Sequence, residues 1–212
     1  MLTIYGSDLS APAIKVRLTA SFIGLDYKWQ LVNLREGEQK KEWFLKINPV
    51  GKVPAIDDDG FYLFESNAIC RYLSDKHGSS LYPKDAQKRA VVDQWIDYVS
   101  FHVGANVMPV VYNRVFAPRR NQPVNEKAIT DGLGALKQYL PIVEQQLTQH
   151  KQVGGPEMSL ADIVLLALLE PVEVAQIDLS AYPQLSAWRV ALKKQSFYMR
   201  CYKEYGEMLK TP

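Results

Sequence analysis

The chain has 212 residues, 47% of them hydrophobic, and its 25 basic and 23 acidic residues leave a formal net charge of +2. That length holds the core of one large or two small domains at roughly 100 to 200 residues each, and with a near-even charge neither a nucleic-acid-binding stripe nor an acidic tail dominates. No apolar run approaches the roughly 18 to 20 residues of a membrane span, and Met1-Leu2-Thr3-Ile4-Tyr5 lacks the features of a signal peptide, so a cytoplasmic protein with neither nucleic acid nor membrane as partner is expected.

Residues 2–5 read as a first strand, and residues 11–22 as a helix with Ile14, Leu18 and Phe22 on its apolar side and Pro12 in its first turn. Tyr27, Trp29 and Leu31 alternate with Lys28 and Gln30, which predicts a second strand, parallel to the first because a helix joins them. Residues 35–41 are polar and are expected to form a mobile loop. A helical turn over 42–47 is stopped by Asn48-Pro49.

Val53-Pro54 follows. Pro54 donates no N–H to a sheet, so an edge or a turn is expected there, with backbone groups left free. Residues 55–60 end in the turn signal Asp59-Gly60, and Phe61-Tyr62-Leu63-Phe64 completes a hairpin. Glu65 and Ser66 stand where that strand ends and a helix over 66–76 begins, with Ile69, Tyr72 and Leu73 facing inward. A serine hydroxyl, fresh backbone N–H groups and the positive end of a helix dipole suit a bound carboxylate. The neighbouring Glu65 suits an amine.

Beyond a linker-like stretch over 77–85, rich in Gly, Ser and Pro, everything reads helical. Residues 86–116 form a long helix carrying Val92, Trp95, Ile96, Val99 and Val103, with a bend expected near Gly104 or Pro109. A loop over 117–123 leads to a second long helix over 125–150. Residues 159–169 are so rich in Leu, Val and Ala that the helix they form must be buried on most sides. Ser159 and Asp162 make its capping box, with Met158 positioned to staple onto Ile163; such a cap contributes ~1 kcal/mol to folding. Helices over 182–194 and 196–209 close the chain. Cys70 and Cys201, the two cysteines, show no CxxC or metal spacing, and His77, His102 and His150 are scattered, so no metal site is expected. Both thiols read as small, buried or half-buried residues.

One chemistry that matches a carboxylate site beside an amine site is a γ-glutamyl group, which carries both charges on one carbon. Tyr5-Gly6-Ser7-Asp8-Leu9-Ser10, the run from Phe44 through Asn48-Pro49-Val50-Gly51-Lys52-Val53-Pro54 to Ala55, Phe64-Glu65-Ser66-Asn67-Ala68-Ile69 and Ser159-Leu160-Ala161-Asp162 occur in the order and at the separations of one family. Over nearly its full length the chain resembles the glutathione transferases, in particular serine-type members of phi-like or theta-like bacterial or related classes. The resemblance implies an α/β thioredoxin-like N-terminal domain (βαβ plus ββα) over 1–76, a linker over 77–85 and an all-helical C-terminal domain over 86–212 that forms the electrophile site. It further implies a homodimer that uses glutathione as co-substrate and conjugates it to hydrophobic electrophilic small molecules.

Ser10 admits two readings from its chemistry. A serine ahead of a helix commonly caps it. A hydroxyl at a helix start also stabilises a thiolate; lowering a thiol by about two units from ~8.5 takes ~2.7 kcal/mol, within reach of one charge-assisted hydrogen bond and a dipole. The resemblance implies the second role for Ser10, with Tyr5 and Ser7 as competitors. It also implies that Val53 pairs through its backbone with the cysteinyl unit, that Pro54 is cis, that Glu65 and Ser66 hold the γ-glutamyl end, and that Lys52 and Gln39 grip the glycyl carboxylate. Histidine is frequent in the family at the place of Gln39, and Lys40 is a substitute within reach. Tyr112 and Phe116 are candidates for an apolar wall of the second-substrate site, and Arg114, Arg119 and Arg120 hint at an anionic acceptor. Asp93 and Asp97 read as solvated charges. The alternatives are a binding module of the same architecture without catalysis, and a glutathione-dependent isomerase or peroxidase.

Overall fold

A computed structural model describes residues 1–201 and 205–209. Four strands, β1 (Leu2–Gly6), β2 (Lys28–Leu31), β3 (Ala55–Asp58) and β4 (Phe61–Phe64), form one mixed sheet in the order β2-β1-β3-β4. β1 and β2 run parallel, joined by helix α1 (Ala11–Ile23), and the other pairings are antiparallel. The hairpin turns on Asp59 and Gly60, both at positive φ (53° and 90°), as a two-residue turn matched to strand twist requires. The Asp57 carboxylate accepts the Gly60 N–H at 2.7 Å.

Alternation along β1 sorts the two faces of the sheet. Leu2 and Ile4 point into the main core, where Ile4 lies opposite Ile56 and both are fully buried with Ile14 and Leu18 of α1. Ile69 and Leu73 join them from helix α3 (Ser66–Lys76); Tyr72, expected inward, is half-buried and donates its hydroxyl to Asp58. On the other face Tyr5, Val53 and Phe64 pack on the buried Val32, Phe44 and Ala55, with Phe44 supplied by the short helix α2 (Glu42–Leu45). The stretch 35–41, expected to be mobile, contains a 3₁₀ turn at Glu38–Lys40. Its order comes from Asn33, whose N–H donates to the Glu38 carboxylate at 2.7 Å and whose side chain accepts from the amides of Arg35 and Glu36.

The helical half begins with one continuous rod: α4 (Ala86–Tyr98), a π-helical segment Val99–Gly104, α5 (Ala105–Val111), a second π segment Tyr112–Phe116, and α6 (Ala117–Arg119). Residues 117–119, expected in a loop, are therefore helical. Pro118 is tolerated because it enters where the π segment has already interrupted the ordinary hydrogen-bond ladder. α7 (Glu126–Gln149) is capped by Asn125, which accepts the Ala128 N–H, and crosses α5 closely at Gly132, where a Cβ would meet the Asn106 carbonyl oxygen at 2.8 Å.

α8 (Leu160–Leu168) is buried along its whole length. It starts at the expected capping box: Asp162 accepts from the Ser159 amide (2.9 Å), the Ser159 hydroxyl (2.8 Å) and the Val153 amide (2.8 Å). α9 (Pro183–Lys193), α10 (Ser196–Cys201) and α11 (Tyr205–Met208) follow; the part of the expected 196–209 helix at 202–204 lies outside the described residues. α1 packs against α3, α8 and α10, so even Lys15 and Thr19 on it are buried. Leu81, within the linker-like stretch, is itself fully buried, and its carbonyl accepts the Leu160 N–H at 2.9 Å. Asp93, expected to be solvated, ties α3 to α4 by accepting from Arg71 at 2.7 Å and from the Tyr82 hydroxyl at 3.0 Å.

Candidate active site

Sheet register brings three segments to one end of the molecule. Tyr5 pairs with Ala55 and Ala55 with Phe64. Residues 7–10 after β1, Val53-Pro54 ahead of β3, and Glu65-Ser66 after β4 therefore all lie at the same end of the sheet.

Ser10 caps α1 with extended backbone, its hydroxyl oxygen accepting the Ala13 N–H at 3.3 Å. That bond uses a lone pair and leaves the hydroxyl proton free to donate, so the capping role and the thiolate role are compatible in one side chain. Of its competitors, Tyr5 buries its ring on the opposite face from α1, with the centroids of Trp43 and Phe44 each 6.4 Å away. Burial, reinforced by Asp57 and Tyr62, pushes its phenol pKa up. The Ser7 carbonyl accepts the Ser10 N–H at 3.0 Å and closes the turn into α1.

The Val53-Pro54 bond is cis, as expected. Among the described residues no hydrogen bond uses the Val53 amide or carbonyl. The loop ahead of it is organised by Asn48, which is 3% exposed, donates its side-chain amide to the Lys52 carbonyl at 2.6 Å and accepts the Val50 N–H at 3.1 Å. Sequence reading used Asn48 only as a helix stop and missed this role. Gly51, at φ 64°, lies so close to the Gln39 carbonyl oxygen and Lys40 Nζ that a Cβ would meet each at 2.8 Å. Lys40 Nζ donates to the Val50 carbonyl at 3.1 Å, so this lysine braces the loop. Gln39 is half-buried beside it, its Oε1 buried without a partner among the described residues, and Lys52 is exposed.

Glu65 has φ 69° and ψ 106°, outside the regions a side-chain-bearing residue ordinarily occupies. Its carboxylate is exposed, and its carbonyl accepts the Ile69 N–H at 2.9 Å as α3 begins. Ser66 is half-buried at the first position of that helix. Next to it, the side chain of Asn67 accepts from Lys15 Nζ at 2.6 Å and donates to the Ser100 hydroxyl at 3.0 Å, linking α3 to α1 and to the rod. Burial, with a further contribution from Arg71, lowers the Lys15 pKa to about 8 against the raising influence of Cys70 and Glu65. No local signal in the sequence marks this lysine.

The segment between β1 and α1 is also held from the C-terminal side. The Tyr205 hydroxyl donates to the carbonyl of Leu9 at 2.8 Å, and Arg17 bridges the Asp8 carboxylate to the Cys201 carbonyl. Phe116 is half-buried, and Tyr112 is exposed with its hydroxyl bonded to Gln122. Arg114, a candidate for an anionic acceptor, spends its guanidinium on the carbonyls of Ala175 and Gln176 at 2.8 Å each.

Comparison with known proteins matches residues 9–76 to the glutathione S-transferase N-terminal domain and residues 107–195 to the glutathione S-transferase C-terminal domain. Glutathione S-transferase 1 of Zea mays is 31% identical over 192 residues, 88% of this chain and 89% of that protein. The crystal structure of glutathione transferase F7 from Populus trichocarpa superposes with a TM-score of 0.89 at 26% identity, covering 99% of this chain and 100% of its own. The theta-class glutathione S-transferase of Xanthomonas axonopodis pv. citri, solved with glutathione bound, gives 0.87 at 26% identity over 94% of this chain and 96% of its own.

Proposed function

The chain belongs to the glutathione S-transferase family, and on that premise we propose that the end of its sheet activates glutathione for attack on electrophilic carbon. The observation that carries this reading is the convergence of a free-proton serine at a helix start, a Val53 backbone without a hydrogen-bond partner among the described residues and the Glu65-Ser66 turn at one sheet end. Glu65 receives the γ-glutamyl ammonium. Ser66 and the first N–H groups of α3 receive the carboxylate on the same carbon. Val53, presented by the cis Pro54, pairs with the cysteinyl unit as a one-residue strand. Gln39, beside Gly51, and Lys52, whose carbonyl Asn48 holds, receive the glycyl carboxylate.

In this frame Ser10 donates its hydroxyl proton to the sulfur while still accepting from Ala13. It acts as a hydrogen-bond donor to an ionised thiol and takes no proton itself; the thiol proton passes to solvent. The thiolate then forms a C–S bond to the electrophile as the leaving group departs, and the protein contributes a lowered thiol pKa and positioning. The acceptor is a hydrophobic electrophile held against Phe116. The reading further includes a homodimer, which rests on the family resemblance, a cytoplasmic location, which rests on the lack of signal-peptide features and of a membrane-length apolar run, and a boundary between the two domains within 77–85, which rests on the Gly, Ser and Pro content of that stretch.

Steady-state conjugation of glutathione to 1-chloro-2,4-dinitrobenzene tests it. Ser10→Ala is expected to lower kcat by about tenfold or more, with the pH profile of kcat/KM moved upward as the bound thiol reverts toward its free value. Wild-type turnover retained in the alanine variant would remove Ser10 from the chemistry.

A further inference from the structure

Lys15 is the only buried lysine among the described residues, 4% exposed between α1 and α3. Filling space does not require a charge there, because Met would occupy a similar volume without desolvating an ammonium. A buried cation is normally answered by an anion, yet among the described residues no carboxylate stands within salt-bridge distance of Lys15 Nζ; its hydrogen-bond partner is the neutral Asn67 Oδ1 at 2.6 Å. The charged and titratable groups facing it are Glu65, Cys70 and Arg71, all on or at the start of α3. Arg71 is itself engaged by Asp93 and Asp97 from α4, and the Glu65 carboxylate is exposed. Asn67 directly follows the Glu65-Ser66 turn and is fixed on its far side by Ser100.

We propose that Lys15 is a positioning residue of the glutathione site: through Asn67 it holds the Glu65-Ser66 turn, and its buried charge is answered by the γ-glutamyl carboxylate when the tripeptide binds. The proposal rests on the reading of the site given above. Its consequence is that one of the two forces holding the carboxylate is lost as Lys15 deprotonates, near pH 8, whereas the dipole of α3 remains.

The test is calorimetric binding of S-methylglutathione, which has no ionisable thiol, to the wild type, Lys15→Met and Lys15→Arg at about pH 6.5 and about pH 9.5. The γ-glutamyl amine titrates alike in all three proteins, so the readout is the ratio of their affinities at each pH. At the lower pH the Met variant is expected to bind about tenfold more weakly than wild type, the scale of one partly screened charge. At the higher pH the ratio is expected to fall toward one, with the Arg variant tighter than both. Equal affinities of wild type and Met variant at low pH, or a deficit that does not change with pH, would overturn the proposal, the second by reducing Lys15 to a packing element. If circular dichroism finds the Met variant unfolded, the Arg variant decides: its affinity relative to wild type must rise with pH, and a flat ratio overturns the idea. Absence of binding by the wild type would instead overturn the reading of the site itself, and this inference with it.

Discussion

Two helix starts in this molecule solve the same problem in opposite ways. At α8, Ser159 has ordinary extended backbone and Asp162 gathers three donors, so polar groups of the turn are satisfied from within and the turn is sealed. At α3, Glu65 has φ 69°, its carboxylate faces solvent, and a buried lysine stands behind the turn with no anion paired to it among the described residues. The first start is complete as folded. The second holds unused hydrogen-bonding capacity and strain, which is where a ligand's binding energy can be realised. Substitutions at the α8 start should therefore act on stability, and substitutions at the α3 start should separate stability from binding.

The largest effect belongs to the sealed start. Asp162→Ala leaves the amides of Val153 and Ser159 and the Ser159 hydroxyl without their acceptor in a fully buried position. At roughly 1 to 3 kcal/mol for each unsatisfied buried group, partly relieved by relaxation, the loss should reach about 3 to 5 kcal/mol, read as a lower urea midpoint. The folded fraction of the variant should keep the wild-type affinity for glutathione. A loss of affinity at unchanged stability would erase the distinction between the two starts.

Lys15 should behave in the reverse sense. Its folded pKa of about 8 lies below the unfolded value of ~10.4, so the folded state holds this proton less tightly than the unfolded chain. Below pH 8 both states are charged and the whole desolvation cost is present, roughly 3 kcal/mol. Between the two values the unfolded chain binds more protons and stability rises with pH. Above ~10.4 both states are neutral and the cost is gone. Lys15→Met should thus raise stability by about 2 kcal/mol at pH 7, after ~1 kcal/mol for the bond Asn67 loses. The gain over wild type should vanish above about pH 10. Paired urea titrations at the two pH values measure it, and a Met variant less stable than wild type at neutrality would mean that the lysine supports the fold.

The same contrast explains what the sequence could reveal. Where a residue's role follows from its neighbours along the chain, the reading holds: Asp59-Gly60 made the hairpin turn, Asn125 and Ser159 opened their helices, and the helix expected over 66–76 is α3. Ser10, Val53-Pro54 and Glu65-Ser66 were legible as one constellation because each stands at a strand or helix boundary, and the register then gathers those boundaries at one sheet end. What failed needed tertiary knowledge. Lys15 looks like any helical surface lysine until α1 is packed between α3 and α8; Arg71 and Asp93, or Arg114 and the carbonyls of Ala175 and Gln176, meet only in the folded chain. Residues 117–119 were misread because Pro118 signals a break, and the π segment that accommodates it has no simple sequence mark. The positive φ of Glu65 is invisible for a related reason, since local preference argues against it.

That last residue offers the smallest and sharpest effect. Glu65→Ala and Glu65→Gly both remove the carboxylate that would receive the γ-glutamyl amine, so both should lose glutathione affinity alike. They differ in the backbone alone. Alanine must still adopt φ 69° against its Cβ, whereas glycine occupies that region freely. Strain of this kind amounts to about 1 to 3 kcal/mol, and glycine gives back about 0.4 to 1 kcal/mol through the greater freedom of its unfolded chain. The glycine variant should therefore be the more stable of the pair by about 1 kcal/mol. Equal stability would mean that the turn carries no strain, and the open start would differ from the sealed one only in its unfilled hydrogen bonds. A glycine variant that is more stable yet binds no better than the alanine variant would show that the strain is a cost borne for the placement of one carboxylate, held in position by the Ile69 amide on the Glu65 carbonyl and by the Lys15-Asn67-Ser100 chain behind it.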